Sequence, residues 1–125
     1  MVLHGYRSAL VPPPQGPSSA AVSAGRLVFV AAQAPPGAGE VPGGDASEQA
    51  RRALGDLAHQ LRATGLGTES VAELTVYLTD PAALGAVDEA CREFFAEPFP
   101  ARSVVGAAWL PGGALLQVSA VAIRY

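Results

Sequence analysis

The chain contains no lysine: its eight basic residues are all arginine, set against eleven acidic ones, for a formal net charge of −3. Without lysine no Schiff base can form on the protein, which excludes lysine-linked pyridoxal phosphate and class I aldolase chemistry. The acidic balance also gives no basic surface for nucleic acid. There is one cysteine, Cys91, so an intrachain disulfide is excluded and a reducing compartment fits. Half the residues are hydrophobic, yet no apolar run reaches the roughly 20 residues of a membrane span. The start, Met1-Val2-Leu3-His4-Gly5-Tyr6-Arg7, lacks the basic-then-apolar pattern of a signal peptide, so a cytoplasmic protein is expected. Metal signatures are missing too. His4 and His59 are far apart, and Cys91 falls on the apolar face of a helix, so neither a metal nor a cofactor is expected. No serine sits in a nucleophile elbow, and no glycine-rich loop joins a strand to a helix in the phosphate-binding pattern.

What is present fits one domain over residues 1–125, with an irregular N-terminal segment at 1–15 and proline-broken chain as far as residue 17. Ala20-Ala21-Val22 and Arg26 to Ala32 read as a hairpin turning at Ser23-Ala24-Gly25. Residues 35–44, rich in Pro and Gly, read as a loop. Asp45 is a helix N-cap with Glu48 three residues on, and Ala46, Ala50, Ala53, Leu54, Leu57 and Leu61 share one face up to a C-cap at Gly65. Val71 to Leu78 alternates as a strand. Asp80-Pro81 opens a second helix with Leu84, Val87, Cys91, Phe94 and Phe95 as its apolar positions. Strands over 103–108 and 115–123 follow, joined by the turn 110–114. The order ββαβαββ predicts an α+β domain: one mixed sheet with both helices on one face. Charged residues make up only 15% of the chain, and the second sheet face is also apolar, so a neighbouring subunit is expected to cover it.

Arg102 is the residue most in need of an explanation. It follows the turn Pro98-Phe99-Pro100-Ala101 and enters the apolar run from Val104 to Leu110. A guanidinium there either points to water from a strand edge, pairs with a protein carboxylate, or meets an anionic ligand. Its planar fork of donors suits a carboxylate. Asp88 lies one turn from Leu84, close to the apolar face of the second helix, where a surface role is the alternative. Gln117 lies inside the strand run Leu115 to Ala122, and its amide needs partners if buried. A hairpin of the two C-terminal strands would bring Gln117 towards Arg102.

These residues complete a resemblance. The chain resembles the Rid family (reactive intermediate deaminase, also called the YjgF family) over about residues 16–125. The resemblance rests on Gly16-Pro17, on Gly25 to Pro35, and on Gln49, Ala53, Leu54 and Leu57. It continues through Leu74 to Asp80, Val87-Asp88-Glu89 and Phe94-Phe95. Pro100-Ala101-Arg102-Ser103 and Leu110-Pro111-Gly112-Gly113-Ala114 are its most specific parts. It implies a chorismate-mutase-like fold, a homotrimer with clefts between subunits, and hydrolysis of 2-imino or 2-enamino acids to 2-oxo acids and ammonia. It implies that Arg102 binds the substrate carboxylate. Backbone near Ala31, Ala32 and Val104 would help to hold substrate and water.

Four positions depart from the family pattern, one of them Ala31, which stands where the family has the Ser of Ser-Gly-Gln. The family's water-activating Glu matches Gln117, which can hold a water but cannot take up its proton. The family's Tyr after Gly-Pro is Ser18, and its Asn on the second helix is Asp88. The expected site is therefore Arg102 and Gln117 as catalytic residues, with Ser18, Ala31, Ala32, Asp88 and Val104 around the ligand. The expected partner is a small carboxylate-bearing molecule. Three functions remain open: a Rid-type hydrolase acting on an imine, enamine or related adduct; a biosynthetic enzyme that cyclises, condenses or tautomerises an imine; and a non-catalytic binder of a small acid. Some family members have been labelled ribonucleases, a role that the acidic balance and the lack of a His pair do not favour.

Overall fold

Apolar residues at every second position of 74–78 and 116–122 demand strands with one dry face. The computed structural model of the protein, which describes residues 2–14, 16–33 and 44–125, forms both. In chain order the elements are β1 (His4–Tyr6), β2 (Ala21–Ala24), β3 (Leu27–Gln33), α1 (Ala46–Ala63), β4 (Val71–Leu78), α2 (Leu84–Phe94), β5 (Ala101–Gly106) and β6 (Leu116–Ile123). They build one mixed sheet in the order β1-β2-β3-β6-β4-β5. Among the described strands only the β4–β5 pair is parallel. The expected α+β fold is thus present. The loop expected over 35–44 lies, apart from Gly44, outside the described residues.

The helix boundaries follow their caps. The Asp45 carboxylate accepts the Glu48 N–H at 3.0 Å and starts α1. At the other end Gly65 takes φ +88°, which only glycine adopts cheaply, and the Leu66 N–H returns to the Leu61 carbonyl at 2.9 Å. Asp80 accepts the Ala82 N–H at 2.9 Å, and Pro81–Ala83 form a 3-10 turn that leads into α2. Leu54, Leu57 and Leu61 of α1 and Val87 of α2 are essentially inaccessible to solvent. They pack with Val28, Leu74, Val76, Leu116 and Val118 of the sheet in a single core. The described residues leave the opposite face of the sheet partly open, and Leu27, Phe29 and Val105 there are 42%, 40% and 44% exposed.

Two expectations are corrected. His4–Tyr6, within the stretch read as irregular, is an edge strand paired with β2. Three residues reading His-Gly-Tyr carry no apolar alternation, so nothing local announces the strand. Its position is secured from elsewhere, because the buried Gln60 of α1 accepts the Ser8 N–H at 2.7 Å. The second correction concerns β5 and β6, which do not form a hairpin. Because α2 carries the chain back along the sheet, β5 enters parallel to β4. The following turn then passes the end of β4, where the Ala107 N–H donates to the Leu78 carbonyl and the Thr79 N–H to the Leu115 carbonyl. This sets β6 on the other edge of β4.

Removing the Gln60 side chain leaves the Ser8 N–H buried without its acceptor. Gln60→Ala is expected to lower the unfolding free energy by about 1–3 kcal/mol, read from the urea midpoint at unchanged slope.

Candidate functional site

Arg102 owes its direction to β4. Residues paired across parallel strands share a face, and Arg102 pairs with Leu74, which is fully buried beneath the helices. The guanidinium therefore projects from the edge strand on the helix side. There Nη1 donates to Asp88 Oδ1 of α2 at 2.7 Å, with the two side chains 31% and 34% exposed. The pair borders a cleft of about 270 Å³ lined by Leu74, Asp88, Cys91, Arg92, Phe95, Phe99, Pro100 and Arg102. Apolar walls with a few convergent charges are the usual make-up of a small-molecule pocket.

The electrostatics follow from this packing. The hydrogen bond to Asp88 holds the Arg102 guanidinium above its ordinary pKa, partly opposed by burial and aided by the neighbouring Cys91. Burial pushes the Cys91 thiol upward, with Arg102 pulling the other way. Cys91 thus stays protonated and behaves as the buried apolar residue that its place on α2 suggests. Among the described residues no group of three or more His, Cys, Asp or Glu could hold a metal, and no helix is long and apolar enough to cross a membrane.

Gln117 lies elsewhere. Its neighbours Leu116 and Val118 point into the core, so alternation turns Gln117, paired with Tyr77, to the opposite face. It is nearly buried, and its amide makes no side-chain hydrogen bond to another described residue. Close by, β3 carries a bulge: Val30 pairs with Ala120 and Gln33 with Val118, leaving one extra residue in β3. The bulge exposes Ala31 and Ala32 together, where regular alternation would bury one of them. Ala31 also donates to the Ala20 carbonyl at 2.9 Å, and the exposed Ser18 lies just before β2.

The chain therefore carries two candidate half-sites. Arg102, Asp88 and the half-exposed Val104, which shares Arg102's face of β5, belong to the helix side at the sheet edge. Gln117, Ala31 and Ala32 are brought together on the other side by β6 and the β3 bulge. Since β4 separates β5 from β6, no single chain unites Arg102 with Gln117. Sequence reasoning missed Arg92, Phe95 and Phe99 as cleft residues, although the spacing 88, 91, 92, 95 on one helix carries that signal. It also missed Glu73, which accepts a hydrogen bond from Thr75 Oγ1 and lines an open-face depression of about 250 Å³ with Ala31 and Ser119.

The family model described as endoribonuclease L-PSP matches residues 9–124. The chain belongs to this family, the YjgF or Rid family. Among curated family members, the 2-iminobutanoate/2-iminopropanoate deaminase of Homo sapiens is 33% identical over 119 residues, covering 94% of this chain and 87% of that protein. A RutC family protein of Pyrococcus horikoshii is 36% identical over 115 residues, covering 90% of this chain and 91% of the relative. Among solved structures, that of the YjgF gene product of Escherichia coli superposes with a TM-score of 0.88 at 30% identity, covering 98% of this chain and 99% of that one. The Escherichia coli TdcF structure with bound serine gives 0.88 at 29% identity, with coverage of 98% and 99%.

The raised Cys91 thiol makes a pH prediction. Its folded pKa lies above the ordinary value of 9.0, so its contribution to stability is complete below that value. The contribution is lost as pH rises through the folded value. Cys91→Ala is expected to flatten the fall in stability across about pH 8–10, read as urea midpoints of both proteins over that range.

Proposed function

We propose that the protein is a Rid-type hydrolase of an imine or enamine of a small carboxylic acid, working in clefts between copies of the chain. The observation that carries this reading is the setting of Arg102. A guanidinium with only one of its nitrogens hydrogen-bonded to Asp88 stands at the mouth of a small, mostly apolar cleft. Its remaining N–H groups suit a carboxylate, and Leu74, Phe95 and Phe99 suit a short hydrocarbon chain. The name of the human relative and the serine held by TdcF agree with a small amino-acid-derived ligand.

The opposed half-sites support assembly. A second copy that laid its open face against the β5 edge would bring Gln117, Ala31 and Ala32 to Arg102. It would also cover Leu27, Phe29 and Val105. A homotrimer, as the family resemblance implies, satisfies both needs.

In the reaction, water adds to C2 of the iminium, and loss of ammonia leaves the 2-oxo acid. Arg102 holds the carboxylate and fixes C2 relative to the water. Gln117 orients the water through its amide without accepting a proton. Positioning is a large part of what such a labile bond requires. The products are the 2-oxo acid and ammonium, so no cofactor is consumed.

The test is ammonia release from a 2-imino acid generated in situ. Arg102→Ala is expected to lower kcat/KM by about 10–100-fold, the loss of a charge-assisted hydrogen bond or two. Equal rates for the two proteins would sink the reading. Gln117→Glu, which restores a proton acceptor beside the water, is expected to raise kcat by about 10²-fold or more. An unchanged kcat would remove Gln117 from the site while leaving the Arg102 anchor standing.

A further inference from the structure

Among the described residues, Asp88 is the only carboxylate that lines the Arg102 cleft. It uses one oxygen, Oδ1, to accept from Arg102 Nη1, and no described residue donates to Oδ2. About a third of each side chain is open to solvent, so a ligand can reach both. Arg92, four residues further along α2, also borders the cleft. A simple monoanion seated on Arg102 would lie beside a like charge that already holds one of the guanidinium's donors, and that contact is unfavourable. A ligand with a cationic N–H group next to its carboxylate meets no such conflict. Its nitrogen can donate to Oδ2 while its carboxylate takes the remaining Arg102 donors.

The geometry points to Asp88 as a specificity-determining residue that selects zwitterionic ligands, those with a protonated nitrogen on the carbon that bears the carboxylate, over plain carboxylates. This deepens the proposed function and rests on its Arg102 anchor. It also bears on the chemistry. Favouring the protonated imine over the neutral one favours the form in which C2 is more open to attack by water. Asp88 acts on the ligand through its charge and a hydrogen bond and exchanges no proton. The gain falls where Gln117 offers no base, so the two departures from the family pattern act together. The isosteric Asp88→Asn keeps an acceptor for Arg102 and removes the charge, which makes it the discriminating variant.

The experiment measures dissociation constants by calorimetry for 2-aminobutanoate and 2-oxobutanoate, which match in size and differ at the group on C2. In the wild type the amino acid is expected to bind about tenfold more tightly, the scale of one charge-assisted hydrogen bond. In Asp88→Asn that preference should vanish or reverse through tighter binding of the oxo acid. Asp88→Ser should move the ratio the same way, and thermal midpoints check that both variants fold. Arg102→Ala should weaken both ligands. If Arg102→Ala weakens both while neither Asp88 variant changes the ratio, the role of Asp88 is overturned and the anchor stands. If Arg102→Ala changes neither affinity, or the wild type binds neither ligand, the anchor itself falls and Asp88 with it.

Discussion

Leu116, Val118, Ala120 and Ala122 fill one face of β6 so completely that the strand has a single acceptable register. β6 is also hydrogen-bonded along both edges, to β3 on one side and β4 on the other. A slip by one residue would turn all four apolar side chains out and bring Gln117 and Ser119 into the core. Much else depends on this constraint. It fixes Gln117 on the open face, sets the partners of the β3 bulge, and holds β4 in the register that aims Leu74, and hence Arg102, towards α2.

The same constraint explains why the candidate site is split. Arg102 and Gln117 are rigidly held, but on opposite faces and on strands that are not neighbours. A rigid scaffold is what a binding site needs. Here it supplies two fixed halves whose separation within one chain cannot be closed by side-chain motion. The bare open face, with Phe29 and Val105 exposed, agrees with a site assembled from more than one copy. Arg102 also shows how a charge sits at the rim of an apolar region. Asp88 removes the cost of leaving it unpaired, and partial exposure leaves donors available.

Much of the fold was legible because its signals are local. The Asp45 cap, the apolar positions of α1, the Asp80-Pro81 start of the second helix and the alternation of 71–78 each lie within a few residues of the structure they specify. β1 was not legible, since its place depends on pairing with β2 and on Gln60, 52 residues from Ser8. The bulge at Ala31 and Ala32 was equally hidden. It is defined by a count of residues against a partner strand 85 to 90 positions away (Gln33 to Val118, Val30 to Ala120), not by any residue type in the run itself.

By itself the sequence determined every element but β1, the family and the unusual place of Arg102. Periodicity, capping chemistry and the Pro-Ala-Arg-Ser and Leu-Pro-Gly-Gly runs are properties of short stretches of chain. Only the tertiary structure decided that β4 lies between β5 and β6, that Arg102 meets Asp88, and that Gln117 faces the other way. Those facts depend on strand order and register. These are settled by burying apolar faces contributed by distant segments, a global packing requirement that no local pattern encodes.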